Sequence, residues 1–325
     1  MKTPFVSVGE AAQCLKDGGI VAMPTETVYG LAADGLNPKA VAKIFQAKQR
    51  PAFDPLILHV SSFEMLEPLV LEIPEKAKLL AGVFWPGPLT FVLRRSERVP
   101  AIVSSGLETV AVRMPSHPLA LELIRTTGRP LAAPSANLFG RLSPTSSRAV
   151  LTQLDGRIDA ILEGGECSVG VESTIVAFWD DKQYLLRPGG IAREDIESLI
   201  GPLQDFTPSD ASVIPAPGNL PSHYAPLSPL YLIEQSSDFL NLGLKAEKCA
   251  LLNFEKRGAD LIGSFRVSKN LSPSGDLVNA AARLYSYLAE LDSLRPQAIV
   301  AFKLPESGLG FAINDRLQRA SFDEG

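Results

Sequence analysis

Apolar positions recur along the chain in helical and in extended rhythm by turns. Val8, Ala11, Ala12 and Leu15 fall on one face of a helix that opens with Ser7 and Glu10 as a capping box and ends at Gly18. Ile20 to Met23 reads as a buried strand, and Pro24 stops its hydrogen-bond ladder. Asn37 is an N-cap with Pro38 at the first helical position, and Val41, Ile44 and Phe45 give the buried face of a helix that Pro51 ends. Residues 55 to 60, 89 to 93, 109 to 114, 130 to 133 and 158 to 162 read as strands. Residues 74 to 84, 117 to 126 and 144 to 153 read as helices, the last with Ser143 as N-cap ahead of Pro144 and amides at its start that can meet an anion. Residues 174 to 179 and 183 to 187, joined by Asp180-Asp181-Lys182, form a hairpin. Strands alternating with helices, followed by a hairpin, predict a twisted mixed-sheet α/β domain over residues 1–204.

Between Pro202 and Pro229 seven prolines fall in twenty-eight residues, too many for a helix or a central strand. Residues 205–229 are therefore expected to be an interdomain linker. From Leu230 onward strand, helix, strand, strand, a long helix with Leu277, Leu284, Leu288 and Leu291 in register, strand and helix predict a smaller Rossmann-like α/β domain, residues 230–325. Its Gly308-Leu309-Gly310 lacks the third glycine of a dinucleotide fingerprint, so no nucleotide site is assigned there.

The total of 325 residues suits one large and one small domain. A net charge of −5 gives no general attraction to polyanions, although a local basic cleft is compatible with it. Cys14, Cys167 and Cys249 form no CxxC pair and read as reduced core residues. No apolar run approaches a membrane span and the N-terminus has no signal-like pattern, so a cytoplasmic chain without membrane partners is expected. Walker A, HExxH, zinc-ligand and GxSxG patterns are absent, which removes the commonest nucleotide hydrolases, metalloproteases and serine hydrolases.

Four polar groups, Thr25, Glu26, Thr27 and Tyr29, crowd the corner after the strand at Ile20. Lys48 and Arg50 stand at a helix exit, where they either offset the helix dipole or swing into a cleft. His59 interrupts an apolar strand. Arg113 interrupts another, and its guanidinium requires an anionic partner: a bound carboxylate or an internal acid. Cations together with Ser135, Asn137 and Ser143 suit phosphate and ribose oxygens.

The run Pro24-Thr25-Glu26-Thr27-Val28-Tyr29-Gly30-Leu31 is followed by Lys48-x-Arg50-Pro51, by Ala133-Pro134-Ser135-Ala136-Asn137 and by Glu172-Ser173-Thr174. In that order and spacing these motifs resemble the YrdC family, and the segment beyond residue 205, with His223-Tyr224 after Pro217-Gly218, resembles its longer two-domain members. The resemblance implies that L-threonine, bicarbonate and ATP become threonylcarbamoyl-AMP and pyrophosphate, with Mg²⁺ accompanying ATP. The intermediate would pass to tRNA threonylcarbamoyl transferase proteins that modify adenosine in tRNA, with weak direct RNA binding left open. Thr27, His59, Arg113, Ala133 and Ser173 would hold threonine. Arg50, Asp54, Thr109, Ser135, Asn137, Ser143, Arg187 and Tyr224 would bind ATP, with Lys48 and Arg50 serving the chemistry. Independently of the resemblance, residues 215 to 226 are expected to close over the cleft as a lid that excludes water from a labile carbamate.

Two departures stand out. Asp54 occupies a place where many relatives carry Asn, and a carboxylate repels phosphates unless a metal or Arg50 intervenes. Asn219, Pro221 and Ser222 replace the methionine and basic residues expected in the linker. Two other readings compete: a double-stranded RNA or tRNA binding module without catalysis, and a carbamoyl transferase domain of the hydrogenase-maturing kind, which leaves the C-terminal module unexplained.

Overall fold

A computed structural model describes residues 2–51, 54–206 and 224–321. They group into two compact units. One takes in the described residues up to Phe139, Pro144–Ser168 and those from Glu172 to Phe206; the other takes in Gly140–Ser143, Val169–Val171 and those from Tyr224 on.

The first unit is built on one mixed sheet of eleven strands: β1 (Phe5–Val6), β2 (Val21–Met23), β3 (Gly30–Asp34), β4 (Ile57–His59), β5 (Leu89–Arg94), β6 (Thr109–Arg113), β7 (Leu131–Ala132), β8 (Ala160–Leu162), β9 (Thr174–Trp179), β10 (Lys182–Arg187) and β11 (Gln204–Asp205). Their order is β1-β8-β2-β3-β7-β4-β6-β5-β9-β10-β11. The flanking helices start where local chemistry starts them. The Ser7 amide donates to Glu10 Oε2 at 2.8 Å to complete a capping box. Asn37 Oδ1 accepts from the amides of Lys39 and Ala40. Asp180 and Asp181, at φ 45° and 59°, supply the left-handed pair that a tight hairpin turn requires between β9 and β10.

Alternation along the strands separates two faces. Leu58, Phe91, Val112 and Val176 enter the main core beneath the helices Pro38–Lys48, Glu75–Phe84 and Arg193–Ile200. Ile57, Val92, Ala111, Ile175, Ala177 and Leu186 form a smaller apolar cluster from the intervening positions.

The helix expected over residues 144–153 begins later, at Ser147, and Ser146 rather than Ser143 caps it by accepting from the Ala149 amide. The preceding residues are committed elsewhere. The Pro144 carbonyl accepts from the Tyr29 amide at 2.8 Å and the Thr145 carbonyl from Cys167 at 2.9 Å. These long-range bonds hold the segment extended, and the helix forms only beyond them.

In the second unit β12 (Leu230–Ile233), β13 (Ala250–Asn253), β14 (Val267–Asn270) and β15 (Ile299–Phe302) make a parallel sheet in the order β12-β15-β13-β14. The helix Leu277–Ser293 starts at an Asp276 cap and buries Ala280, Ala281, Leu284, Leu288 and Leu291. The unit is a small Rossmann-like module whose last strand lies between its first two. Among the described residues no helix is long and apolar enough to cross a membrane.

Candidate active site

Strand register assembles the centre of the site. His59 on β4 pairs with Arg113 on β6, and Arg113 pairs with Thr90 on β5. Residues paired in register project to the same side of a sheet, so these three side chains stand in one row. The next row on that side, Ile57, Ala111, Val92 and Ala177, is apolar and buried. A polar row thus lies along the edge of a hydrophobic floor, and all three of its members are under 4% exposed.

The corner after β2 closes over this row. The Thr25 hydroxyl accepts from the amides of Thr27 and Val28 and donates to the Val28 carbonyl, a self-capped turn that fixes Thr27. Thr27 Oγ1 lies 2.8 Å from Thr25 Oγ1 and accepts from Arg113 Nη1 at 3.0 Å. Gly30 brings the corner against residues 133–136: the Leu31 amide donates to Pro134, and the Ala136 amide donates to Tyr29, each at 2.7 Å. A Cβ on Gly30 would stand 3.2 Å from that of Ala133, so a small residue on each side permits the approach. Ala133 spends its amide on the Ile57 carbonyl, which leaves its carbonyl as its remaining backbone polar group.

Of the two partners open to Arg113, the structure supplies the internal acid. Arg113 Nη2 lies 2.6 Å from Glu26 Oε1, with both side chains buried, and Nε donates to the Gly87 carbonyl. Two buried polar atoms, Glu26 Oε2 in the pair itself and Nδ1 of the neighbouring His59, have no hydrogen-bond partner among the described residues. Burial, reinforced by the Arg113 charge, pushes the His59 pKa down to about 3, so the ring is neutral at physiological pH. Buried polar atoms are nearly always satisfied, and two orphans, one on the acid paired with Arg113 and one on its register neighbour His59, mark a place shaped for a ligand. Glu26 was visible in the sequence only as one member of the polar corner. Its signal was there: a buried arginine needs an acid, and Glu26 is the acid of that corner.

Beyond Thr90 the row continues. The hydroxyls of Thr90 and Ser173 lie 2.7 Å apart, and Arg187 donates to the Ser173 carbonyl at 3.0 Å and to its hydroxyl at 3.2 Å. Gly189 makes this possible, because a Cβ there would stand 2.3–2.4 Å from backbone atoms of residues 172–174. Thr27, His59, Arg113, Ser173 and Arg187 therefore belong to one neighbourhood, with Thr90 as a member that the sequence did not single out.

Lys48 goes elsewhere than into a cleft. Its ammonium donates to the carbonyls of Ser135 and Asn137 at 2.6 Å each, with Asn137 Oδ1 at 3.4 Å. Burial and the nearby Arg50 charge lower its pKa. Three acceptor oxygens nevertheless match the three N–H donors of an ammonium, where a neutral amine has two. Lys48 thereby ties the end of its helix to the Ser135–Asn137 loop. Arg50 lies 2.8 Å from Asp54 and donates to the Pro55 carbonyl, so the carboxylate at position 54 is met by this arginine. Thr109 shares a face of β6 with Arg113 but begins the strand that Arg113 ends, about 13 Å away at ordinary strand rise.

Ser143 and Tyr224 belong to the second unit. Tyr224 is 2% exposed at φ 64°, with its ring centroid 5.1 Å from the Arg316 guanidinium carbon and 6.0 Å from that of Tyr285. Residues 207–223, which carry most of the expected lid and His223, lie outside the described residues. No cluster of three or more acidic, histidine or cysteine side chains suited to a metal occurs among the described residues.

Comparison with known proteins agrees with the motifs. A family model for Sua5, YciO and YrdC proteins, described as "Telomere recombination", matches residues 13–189, and one described as "Threonylcarbamoyl-AMP synthase, C-terminal domain" matches residues 191–321. The chain is 44% identical to the threonylcarbamoyl-AMP synthase of Pyrococcus abyssi, over 96% of this chain and 93% of that protein. It is 43% identical to that of Bacillus subtilis, over 99% and 94%. The crystal structure of P. abyssi Sua5 complexed with L-threonine superposes with a TM-score of 0.86 at 40% identity, covering 97% of this chain and 94% of that one.

Proposed function

The chain belongs to the Sua5/YciO/YrdC family, and from that premise we propose that it makes L-threonylcarbamoyl-AMP from L-threonine, bicarbonate and ATP with release of pyrophosphate, the activated intermediate for threonylcarbamoyladenosine in tRNA. The observation that carries this reading is the Arg113 site: a buried guanidinium bonded to Thr27 and in register with His59, with orphaned polar atoms on His59 and Glu26, in a chain that superposes on a threonine-bound relative.

Threonine's carboxylate is met by Arg113 and Thr27. The contacts among described residues use one N–H on each terminal nitrogen of Arg113, and each carries two. Its hydroxyl meets His59 Nδ1, with Ser173 and the Ala133 backbone completing the cradle. No enzyme nucleophile is needed: threonine carbamate attacks the α-phosphorus in line as pyrophosphate leaves, so the protein's task is positioning and charge stabilisation. Arg50, Thr109, Ser135, Asn137 and Arg187, all of the first unit, are proposed ATP ligands. Lys48 acts through the Ser135–Asn137 loop that it holds.

Mg²⁺ would accompany ATP and offset the charge of its phosphates. Asp54, paired with Arg50, is a further proposed ATP ligand. The intermediate is then passed to tRNA threonylcarbamoyl transferase proteins, in the cytoplasm. The test is pyrophosphate release with threonine, bicarbonate and ATP, each omitted in turn. Release must require all three, and serine in place of threonine must support it less well. Release that ignores threonine overturns the proposal.

A further inference from the structure

Building on that reading of the site, we propose that Glu26 is the receptor for the substrate's ammonium group and takes up its proton, so that the pocket selects a free zwitterionic α-amino acid. Glu26 Oε1 is 2.6 Å from Arg113 Nη2, and Oε2, on the same carboxylate carbon, is buried and has no hydrogen-bond partner among the described residues. A carboxylate oxygen can only accept, so this orphan demands a donor, and its negative charge excludes bicarbonate or a phosphate as the occupant. The ion pair presents opposite charges side by side, as an α-amino acid does on one carbon atom. Set head to tail, the ligand's carboxylate meets the remaining Arg113 donors and its ammonium meets Oε2. His59 Nδ1, the second orphan, stands in register with Arg113 for the side-chain hydroxyl. Three groups of the protein then read three substituents of threonine, which fixes the hand of the ligand as well as its charge.

Among the described residues, the charged or titratable groups that interact with Glu26 are Arg113 on β6, with His59 beside it on β4, and Cys167 from the loop after β8. Burial pushes the Cys167 thiol up to about 12, so it keeps its own proton, and holds the His59 imidazole down at about 3, a weak base, while Glu26 presents the open carboxylate oxygen. The step balances without another reagent. An ammonium proton passes to Oε2, the amine nitrogen bonds to the carbon of bicarbonate, and the C–OH bond breaks. The departing hydroxide leaves as water with a second nitrogen proton, and the carbamate remains. Glutamic acid keeps the first proton until the product departs.

Calorimetric titration of the full chain with L-threonine and with 2,3-dihydroxybutyrate, in which a hydroxyl replaces the ammonium, tests this. The wild type should prefer threonine by about thirtyfold or more, and Glu26→Gln should shrink the preference to about threefold or less. Equal weakening of both ligands means that Glu26 only braces Arg113, and equal binding of both by the wild type also overturns the assignment. Should Glu26→Gln fail to fold, as a melting curve shows, that wild-type comparison and Glu26→Asp, which must keep a preference for threonine, decide instead. Turnover of Glu26→Gln at saturating threonine should fall about a hundredfold at neutral pH. It should recover relative to wild type as pH rises, because solution then supplies free amine; a constant ratio contradicts the proton transfer. A wild type that binds neither ligand and releases no pyrophosphate would instead overturn the proposed function itself.

Discussion

The ammonium of Lys48 lies 2.6 Å from the Asn137 carbonyl, eighty-nine residues away, and is 1% exposed with the rest of its side chain. Replacing Lys48 with Met keeps the length but takes the ammonium away from the part-buried Ser135 carbonyl and the buried Asn137 carbonyl. The expected loss is about 2–4 kcal/mol in denaturant unfolding, at one to two unsatisfied groups. ATP affinity should fall more than threonine affinity, because the loop serves the nucleotide. Unchanged stability would show that the loop does not depend on this tie.

Much of the architecture was legible because it is written in local chemistry. Ser7 with Glu10 and Asn37 with Pro38 each mark a helix start by hydrogen bonds spanning a few residues, and they mark it in the structure too. The start at Ser143 was misread for the opposite reason: Ser146 caps equally well, and the choice between them is made by Tyr29 and Cys167. The site divides in the same way. Arg113 and His59 could be picked out as polar interruptions of apolar strands. The pairing of Arg113 with Glu26 and the destination of Lys48 depend on contacts across more than eighty residues, which no periodicity encodes.

Acid stability should carry the signature of His59. Its pKa is 6.5 in an unfolded chain and about 3 in the fold. The unfolded state therefore binds the extra proton between those values, and the stability that this group contributes is full above pH 6.5 and is lost as pH falls toward 3. Within that window the wild type should lose up to ~1.4 kcal/mol per pH unit from this group. His59→Gln should remove that slope while leaving the common carboxylate titrations in place, as urea unfolding at a series of pH values would reveal.

Gly189 has no room for a methyl group, whose carbon would lie 2.3 Å from the Ser173 carbonyl carbon. Gly189→Ala must push the strand end aside, at about 1–3 kcal/mol. Because Arg187 reaches Ser173 from the same turn, KM for threonine and for ATP should both rise. A variant with native kinetics and native Tm would show that the two segments are not rigidly coupled.

Tyr224 separates packing from binding. Tyr224→Ala removes the ring beside the buried Arg316 guanidinium and should cost about 3 kcal/mol in the second unit. Tyr224→Phe keeps the ring. If the hydroxyl binds ATP, this variant should lose nucleotide affinity several-fold at nearly unchanged Tm; parallel loss in both variants would assign Tyr224 to structure.

The most direct test of the Arg113 site is the substrate dependence of pyrophosphate release by Arg113→Lys, which keeps a positive charge for Glu26 but loses the forked donor geometry. KM for threonine should rise about ten- to a hundredfold, as expected for one lost charge-assisted bond, while KM for ATP changes less than about threefold. An unchanged KM for threonine, or an equal rise for both substrates, would contradict the assignment of Arg113 to the amino acid's carboxylate.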